Sequence, residues 1–388
     1  MITTISDYTL QAEKLNHHIR QENILDISNI HHKDYLFTTA NWRHFFGEEN
    51  PEKMDSFFRD YVFQKKLMEL DFQTNLDWLM DNFELKGDLS FLKKAQTQPF
   101  IFASFHFGPY NMQGLVLSEM LKIKYAVLAN SALYLDQFTQ FLTDKYNDPK
   151  AKGKEIILSK EDVVNPDSLN ALMEMRAKVN SGKSLLVYLD GMEGMTGYLD
   201  RTKMLDIEFC GKKMFVRKGI ARIAHFLKTP IIPMISRRTS LGTSEVIFAP
   251  PVDPASTSKW QDFVPSFMQE SYRFFEPYFV ETPEQWEVFD HLHMYVYENA
   301  PEYKDPPEVI SPDTQFIIFN EDRFGVFEEH NTFYLFDNTT YGLFKISAAM
   351  AKFLAGFGKQ KTTAIKNAMK PELFNDLYKK EILIGSAI

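Results

Sequence analysis

The histidine at position 106 lies where a reactive imidazole would be expected. The segment PFIFASFHFGPYNMQGLVL begins as an apolar run typical of a buried β-strand, and His106 follows that run directly. Gly108 and Pro109 then open a segment with the spacing of an amphipathic helix. The positive end of a helix disfavours an imidazolium ion, so a ring at this turn is expected to stay neutral and to accept a proton. The pattern therefore predicts a general base at a strand-to-helix turn.

A general base of this kind needs a second group that orients the ring, and a carboxylate five residues further on is a common arrangement. Asn111 occupies that position here. An amide oxygen can accept a hydrogen bond from the imidazole, but it brings no charge to stabilise the imidazolium that forms during proton transfer. Loss of that charge can lower a rate by several orders of magnitude. Asp190 and Glu193 could supply a carboxylate from elsewhere, and a fold kept for binding alone is a third alternative.

The order of apolar segments predicts the fold that positions these residues. Residues 1–95 have helical periodicity, whereas short apolar runs alternate with helical stretches over residues 99–250. Such alternation predicts an α/β fold with a mixed, largely parallel sheet flanked by helices. We expect a larger domain at 1–303, with its core at 96–299, and a linker followed by a small α+β, winged-helix-like domain at 304–388.

Composition narrows the class of protein. The chain of 388 residues has 44% hydrophobic and 24% charged residues, as a folded globular protein does. A net charge of -9 argues against nucleic-acid binding, because phosphate neutralisation needs an excess of Lys and Arg. A lone cysteine, Cys210, excludes an internal disulfide. We find no secretory pattern and no apolar run long enough to span a membrane, so we expect a cytoplasmic protein, with peripheral contact to the inner membrane left open.

One basic segment contrasts with the acidic average. Residues 201–238 carry ten Lys and Arg side chains and two acidic ones, a local charge of +8. This excess indicates an anionic ligand. A solvated helix face with charged loops explains it about equally well.

Several blocks of the sequence, in order, resemble one known family. HFGPYN resembles the H-F-G-N-W-E motif of the late lipid A acyltransferases, which belong to the lysophospholipid acyltransferase-like superfamily. SGKSLLVYLDGMEG resembles that family's strand ending in an acidic residue, here Asp190. IEFCGKKMFVRKGIARIAHFLKTPIIPMISRR follows its F-x-G block, helix and proline-bearing strand, and PEQWEVFDHLH matches its P-x-Q-W ending. The resemblance covers residues 80–293, and several ordered blocks arise by chance far less often than one motif.

The resemblance implies a glycerolphosphate-acyltransferase-like fold and a reaction. A fatty acyl group would pass from an acyl-carrier-protein or coenzyme A thioester, used as a co-substrate, to a hydroxyl or amine, with no metal and no bound cofactor. His106 would deprotonate the acceptor, supported by Asn111, Asp190 or Glu193. The residues expected to contact substrate are Gly108, Phe209, Gly211, Lys212, Lys213, Arg237 and Arg238. The alternative is a glycine-centred hairpin with solvated lysines, and arginines paired with acidic side chains.

The C-terminal segment carries a second resemblance. FGVFEEHNTFYLFDNTTYGLFKISAAMAKFLAGFGKQKTTAIKNAM resembles a PqqD-like peptide-recognition domain, which implies a ribosomal-peptide partner bound as an extra strand. An appendage that buttresses the larger domain or mediates dimerisation is the alternative. Residues 312–388 carry nine basic and nine acidic side chains, which disfavours DNA binding. A lipid acceptor, a peptide acceptor, and a catalytically inactive lipid- or peptide-binding protein that keeps the fold all stay open.

Overall fold

The chain forms two compact units in the computed structural model. The structure describes residues 2, 4–26, 29–47, 50–129, 160–166, 168–191, 201–296 and 315–386. The first unit consists of the described residues within Met1–Gln21, Ser56–Phe289 and Met294–Val296. The second unit consists of the described residues within Glu22–Asp55, Asp290–His293 and Tyr297–Ile388.

Helices and strands have the following bounds. The helices are α1 (Ile5–Gln21), α2 (His32–Phe46), α3 (Pro51–Phe72), α4 (Leu76–Asp81), α5 (Leu92–Ala95), α6 (Gln113–Leu115), α7 (Ala171–Asn180), α8 (Gly219–Leu227), α9 (Trp260–Glu281), α10 (Ala348–Ala355), α11 (Thr362–Ala368) and α12 (Pro371–Lys379). The strands are β1 (Phe83–Gly87), β2 (Ile101–Ser104), β3 (Tyr125–Leu128), β4 (Val163–Val164), β5 (Ser184–Tyr188), β6 (Met204–Phe209), β7 (Lys212–Arg217), β8 (Ile231–Ser240), β9 (Thr243–Phe248), β10 (Phe316–Phe319), β11 (Phe324–Glu329), β12 (Thr332–Asp337), β13 (Gly342–Ile346), β14 (Gln360–Lys361) and β15 (Leu383–Ser386). Within these described ranges, no helix combines the length and the apolarity that a membrane span requires.

A mixed sheet forms the centre of the first unit. Its strand order is β1-β9-β8-β2-β5-β3-β4, and neighbours run parallel except for the antiparallel pair β8 and β9. Strands β2, β5 and β8 are buried along most of their length, as expected for parallel strands covered on both faces. The prediction of a mixed, largely parallel sheet flanked by helices is confirmed. The apolar run EIILS at 155–159, predicted as a further strand, lies outside the described residues.

Two segments of the first unit differ from their sequence pattern. β1 lies within the region predicted to be helical, and it alternates between a buried Phe83 and an exposed Glu84 as an edge strand does. The helix predicted after Gly108 begins as a 3-10 turn at Tyr110–Met112, continues through α6 and ends in a π-type turn at Val116–Met120. Most of this segment is buried, so packing on several sides, rather than one apolar face, governs how it winds.

The second unit contains two small antiparallel sheets. β11, β12 and β13 form one sheet, and β10 pairs with β14 and β15 in the other. A two-residue turn with positive φ at His330 and Asn331 joins β11 to β12, as in a tight hairpin. Phe37 of α2 is buried with Phe336 of β12, so this N-terminal helix packs within the second unit. The winged-helix-like assignment and the domain boundary at 303 stay predictions.

Candidate active site

The register of two parallel strands brings His106 and Asp190 together. His106 follows β2 by two residues, and Asp190 follows β5 by two residues. β2 and β5 are paired neighbours, with Ser104 opposite Tyr188, so their carboxyl ends meet at one edge of the sheet. In open α/β sheets this edge is where ligands bind. The His106 side chain is 22% exposed and that of Asp190 is 3% exposed.

The buried carboxylate of Asp190 holds the imidazole in one orientation. His106 Nδ1 lies 2.9 Å from Asp190 Oδ1. The backbone N–H of His106 also donates to Asp190 Oδ2, at 2.9 Å. Because an ionised carboxylate only accepts hydrogen bonds, Nδ1 carries a proton, and in the neutral ring Nε2 then carries the lone pair. This is the protonation state that a general base requires.

A tryptophan completes the surroundings of the carboxylate. The indole N–H of Trp286 donates to Asp190 Oδ2 at 2.6 Å, and Trp286 is 1% exposed. Trp286 follows a 3-10 turn at Pro283–Gln285 and has extended backbone angles. That extended backbone pairs with Phe107 in an antiparallel bridge. Trp286 was not predicted as a site residue, although it ends the P-x-Q-W block.

Two tyrosines pack on the imidazole. The Tyr188 ring stacks on His106 with centroids 4.3 Å apart, and Tyr110 meets it edge-on at 4.7 Å. Burial, and then the nearby Glu287 carboxylate, raise the pKa of Tyr110 well above its usual value, so its phenol stays protonated and donates to Glu287. Neither tyrosine was predicted as a site residue, although Tyr110 lies within HFGPYN and Tyr188 lies two residues before Asp190. Together they restrict the ring of His106 at its face and its edge.

Gly108 permits a close approach at the turn after His106. Its φ is +58°, and a Cβ there would lie 2.6 Å from the carbonyl oxygen of Ser236. Its backbone N–H donates to the carbonyl of Gln285 at 2.8 Å. The side chain of Gln285 in turn bonds to the backbone of Arg238, accepting from its N–H at 2.7 Å and donating to its carbonyl at 2.9 Å. These contacts join the His106 turn, the segment before Trp286, and strand β8.

The other two predicted orienting residues have different placements. The side-chain Oδ1 and Nδ2 atoms of Asn111 are buried and form no hydrogen bond with the residues that the structure describes. Glu193 lies outside the described residues. Of the alternatives that the sequence left open, Asp190 is thus the residue found at the ring of His106.

Most of the predicted F-x-G block forms a tight hairpin. β6 and β7 are joined through Cys210 and Gly211, whose φ values of 51° and 68° are those of a two-residue hairpin turn. Lys212 and Lys213 are exposed on β7, whereas Phe209 is fully buried and lies edge-on to Trp286 at 5.7 Å. Burial raises the pKa of the Cys210 thiol to about 12, which disfavours a nucleophilic thiolate. The glycine-centred hairpin is as the sequence indicated, and a role of its lysines in substrate binding stays a prediction.

The two predicted arginines form ion pairs within the protein. Arg238 is buried, and it bonds to Asp71 at 2.7 Å and to the hydroxyl of Tyr8 at 3.0 Å. Arg237 pairs with Glu245 and Glu281. Both guanidinium groups therefore have carboxylate partners within the protein, as the sequence offered in its alternative interpretation.

Comparison with known proteins finds a distant likeness to a solved structure. No protein family matches this chain, and no curated protein matches it. Among solved structures, it is similar to the 1-acyl-sn-glycerophosphate (LPA) acyltransferase PlsC from Thermotoga maritima, at 14% sequence identity and a TM-score of 0.34. That likeness covers 70% of this chain and 97% of that chain. The site is therefore interpreted from its own geometry and from the ordered sequence blocks.

Proposed function

We propose that this protein is an acyltransferase in which His106 is the general base and Asp190 is its orienting carboxylate. The donor is an acyl-CoA or acyl-ACP thioester, and the acceptor is a hydroxyl or amine of a lipid or a peptide. The observation that carries this proposal is the 2.9 Å contact between His106 Nδ1 and Asp190 Oδ1 at the ends of two parallel neighbouring strands. The ordered resemblance from HFGPYN to PEQW favours acyl transfer among the reactions that use such a pair.

The proton and the acyl group move in two balanced steps. His106 Nε2 accepts the proton of the acceptor hydroxyl or amine as its oxygen or nitrogen attacks the thioester carbonyl carbon. The tetrahedral intermediate then collapses, the carbon–sulfur bond breaks, and the leaving thiolate takes the proton from Nε2. The products are the acylated acceptor and a free thiol, and the ring returns to its starting tautomer. No covalent enzyme intermediate forms.

Asp190 contributes through charge as well as orientation. An imidazolium forms in the first step and loses its proton in the second, and a buried carboxylate 2.9 Å away stabilises it far more than a neutral amide would. Asp190 is held by donors on both oxygens, so it needs no reorganisation when the ring becomes charged.

The β6–β7 hairpin offers cations for the donor. Phe209 anchors the hairpin beside Trp286, and Lys212 lies directly opposite Phe209 in the strand register. We assign Lys212, with Lys213 and Gly211 at the same tip, to the phosphates of the thioester donor.

An outer strand of the second unit favours a peptide acceptor. β13 pairs with β12 on one side, and the side chains of Leu343 and Phe344 are 50% and 51% exposed. An outer strand with exposed apolar side chains can accept a peptide as an additional strand.

The test is thiol release by the full-length protein. Palmitoyl-CoA and palmitoyl-ACP are each incubated with a lysophospholipid, a glycolipid or a pool of unstructured peptides, and free thiol is followed by absorbance. We expect release that His106→Ala abolishes, and a peptide acceptor predicts that Leu343→Asp combined with Phe344→Asp lowers transfer to peptides alone. If no donor and acceptor combination gives His106-dependent release, the proposal is wrong and a binding protein is favoured.

A further inference from the structure

The carboxylate of Asp190 has two distinct sides. Oδ1 faces the imidazole Nδ1 of His106 at 2.9 Å, and Oδ2 accepts from the indole N–H of Trp286. The backbone N–H of His106 is shared between them, 2.9 Å from Oδ2 and 3.2 Å from Oδ1. The indole N–H donates to the carboxylate at 2.6 Å in a buried environment. A hydrogen bond to an ionised group is stronger than one between two neutral groups. Two donors on Oδ2 fix the plane of the carboxylate and so direct Oδ1 at the ring.

Trp286 is itself held in place from several directions. Its ring packs edge-on against Phe209, Phe275 and Phe279, with centroids 4.9 to 5.7 Å apart. Its backbone is bridged to Phe107, one residue after His106. The direction of the indole N–H is therefore set by an aromatic cluster and by backbone pairing, independently of the carboxylate.

We propose that Trp286 is a positioning residue that fixes the orientation of Asp190 and, through it, the tautomer of His106. This inference rests on the proposed function for its catalytic meaning, but its structural content is independent of substrate. Without the indole N–H, the carboxylate of Asp190 can rotate. The hydrogen bond from Nδ1–H to Oδ1 then favours the Nδ1–H tautomer less strongly. The ring would then spend part of its time with the proton on Nε2, where it cannot act as a base toward the acceptor.

The experiment is nitrogen-15 NMR of the full-length protein labelled in histidine, which reports which ring nitrogen carries the proton. His106→Gln identifies the His106 signals by their loss. We compare the native protein with Trp286→Phe, which keeps an aromatic ring, and with benzothienylalanine at position 286, which keeps the bicyclic shape and lacks only the N–H. Trp260→Phe is the matched control, because Trp260 contacts Arg222 rather than Asp190.

The native protein should show the proton on Nδ1. In both altered proteins the ratio of the Nδ1–H to the Nε2–H tautomer should fall about 10- to 100-fold, as expected for loss of one charge-assisted hydrogen bond. The turnover number should fall by a similar factor with KM within about 2-fold, since positioning acts on the chemical step. The benzothienyl protein makes this readout independent of any packing defect in Trp286→Phe.

The outcomes separate the two proposals. A tautomer ratio that stays the same or rises in the benzothienyl protein overturns the positioning role, whatever the activity. A ratio that falls in a protein that releases no thiol with any donor supports the positioning role and refutes the proposed function.

Discussion

Substitution of Asp190 by asparagine tests the site most directly, because it removes the charge while keeping the shape. Unit charges 2.9 Å apart attract by about 6 kcal/mol at an effective dielectric constant of about 20, a reasonable value for a partly buried pair. At about 1.4 kcal/mol per tenfold, that energy corresponds to a rate factor of about 10⁴. The His106 ring is 22% exposed, so solvent screening lowers the expected factor, to between about 10³ and 10⁴.

The hydrogen bonds of Asp190 also predict a loss of rate in Asp190→Asn. Every contact that Asp190 makes with His106 and Trp286 is one that it accepts. An asparagine must place its NH₂ group against either the ring Nδ1 or the indole and backbone N–H groups. An NH₂ group against Nδ1 forces the ring proton onto Nε2, which is the wrong tautomer for a base. An NH₂ group on the other side is a donor that faces two further donors, the indole N–H and the backbone N–H.

The assay is single-turnover thiol release, with the melting temperature measured alongside to show that the variant is folded. We expect the rate for Asp190→Asn to fall about 10³- to 10⁴-fold with little change in substrate affinity. Asn111→Ala is the comparison variant, and it should stay within about 10-fold of the native rate, because the described residues give the Asn111 amide no bond to the ring. A folded Asp190→Asn protein within 10-fold of native, or a larger loss in Asn111→Ala, would refute the assignment of Asp190 as the orienting group.

Three further predictions concern stability, each measured by chemical denaturation. Gly108→Ala should lower the free energy of unfolding by about 3 kcal/mol or more, because positive φ is unfavourable for alanine and the new methyl meets backbone. Arg238→Met should lower it by about 3 to 5 kcal/mol, because it leaves the buried Asp71 carboxylate without its cation. Burial raises the pKa of Glu284 to about 7, above its unfolded value of about 4.3. The folded state therefore binds more protons between these pKa values, and the free energy of unfolding decreases as pH rises through them. Glu284→Gln should remove this decrease, which amounts to about 4 kcal/mol.

Each of these predictions has a matched control. Gly211 has a similar positive φ of +68°, and a Cβ there would have no contact within 4 Å, so Gly211→Ala should lose only about 1 to 2 kcal/mol. Equal losses in the two variants would contradict the steric argument. Arg273→Met removes an exposed arginine paired with Glu270, and Arg238→Met must be clearly more destabilising than it. Glu270→Gln is the exposed counterpart for Glu284→Gln. Parallel stability curves from pH 4 to 8 for native protein and Glu284→Gln would rule out the proposed linkage.

Local sequence patterns predicted the buried strands, but they did not predict which elements pack against each other. The continuous apolar runs of β2, β5 and β8 predict strands covered on both faces, and the structure has them so. β1 is too short and too polar to separate from the helical region around it. α2 has an apolar pattern that predicts a helix, but a pattern on one helix does not determine which core that helix joins.

The site was predictable only in part for a related reason. His106 follows a buried strand directly, and that local signal is strong. Asp190 lies 84 residues away and reaches the ring only because β2 and β5 are parallel neighbours in one register, so spacing could offer it as one of several alternatives. The direction of the Trp286 N–H depends on backbone pairing with Phe107, which the letters P-x-Q-W do not encode.

The side-chain amide of Gln285 acts as a substitute peptide group for the sheet. β8 pairs with β2 through Pro233 and then runs on, and Gln285 meets the backbone N–H and C=O of Arg238 beyond that point. A glutamine thus continues the ladder after the neighbouring strand has ended, and it covers an edge that would otherwise invite a foreign strand. Through the adjacent backbone, the same amide ties the reactive turn to the most protected part of the sheet, so this corner should open and close as one cooperative unit.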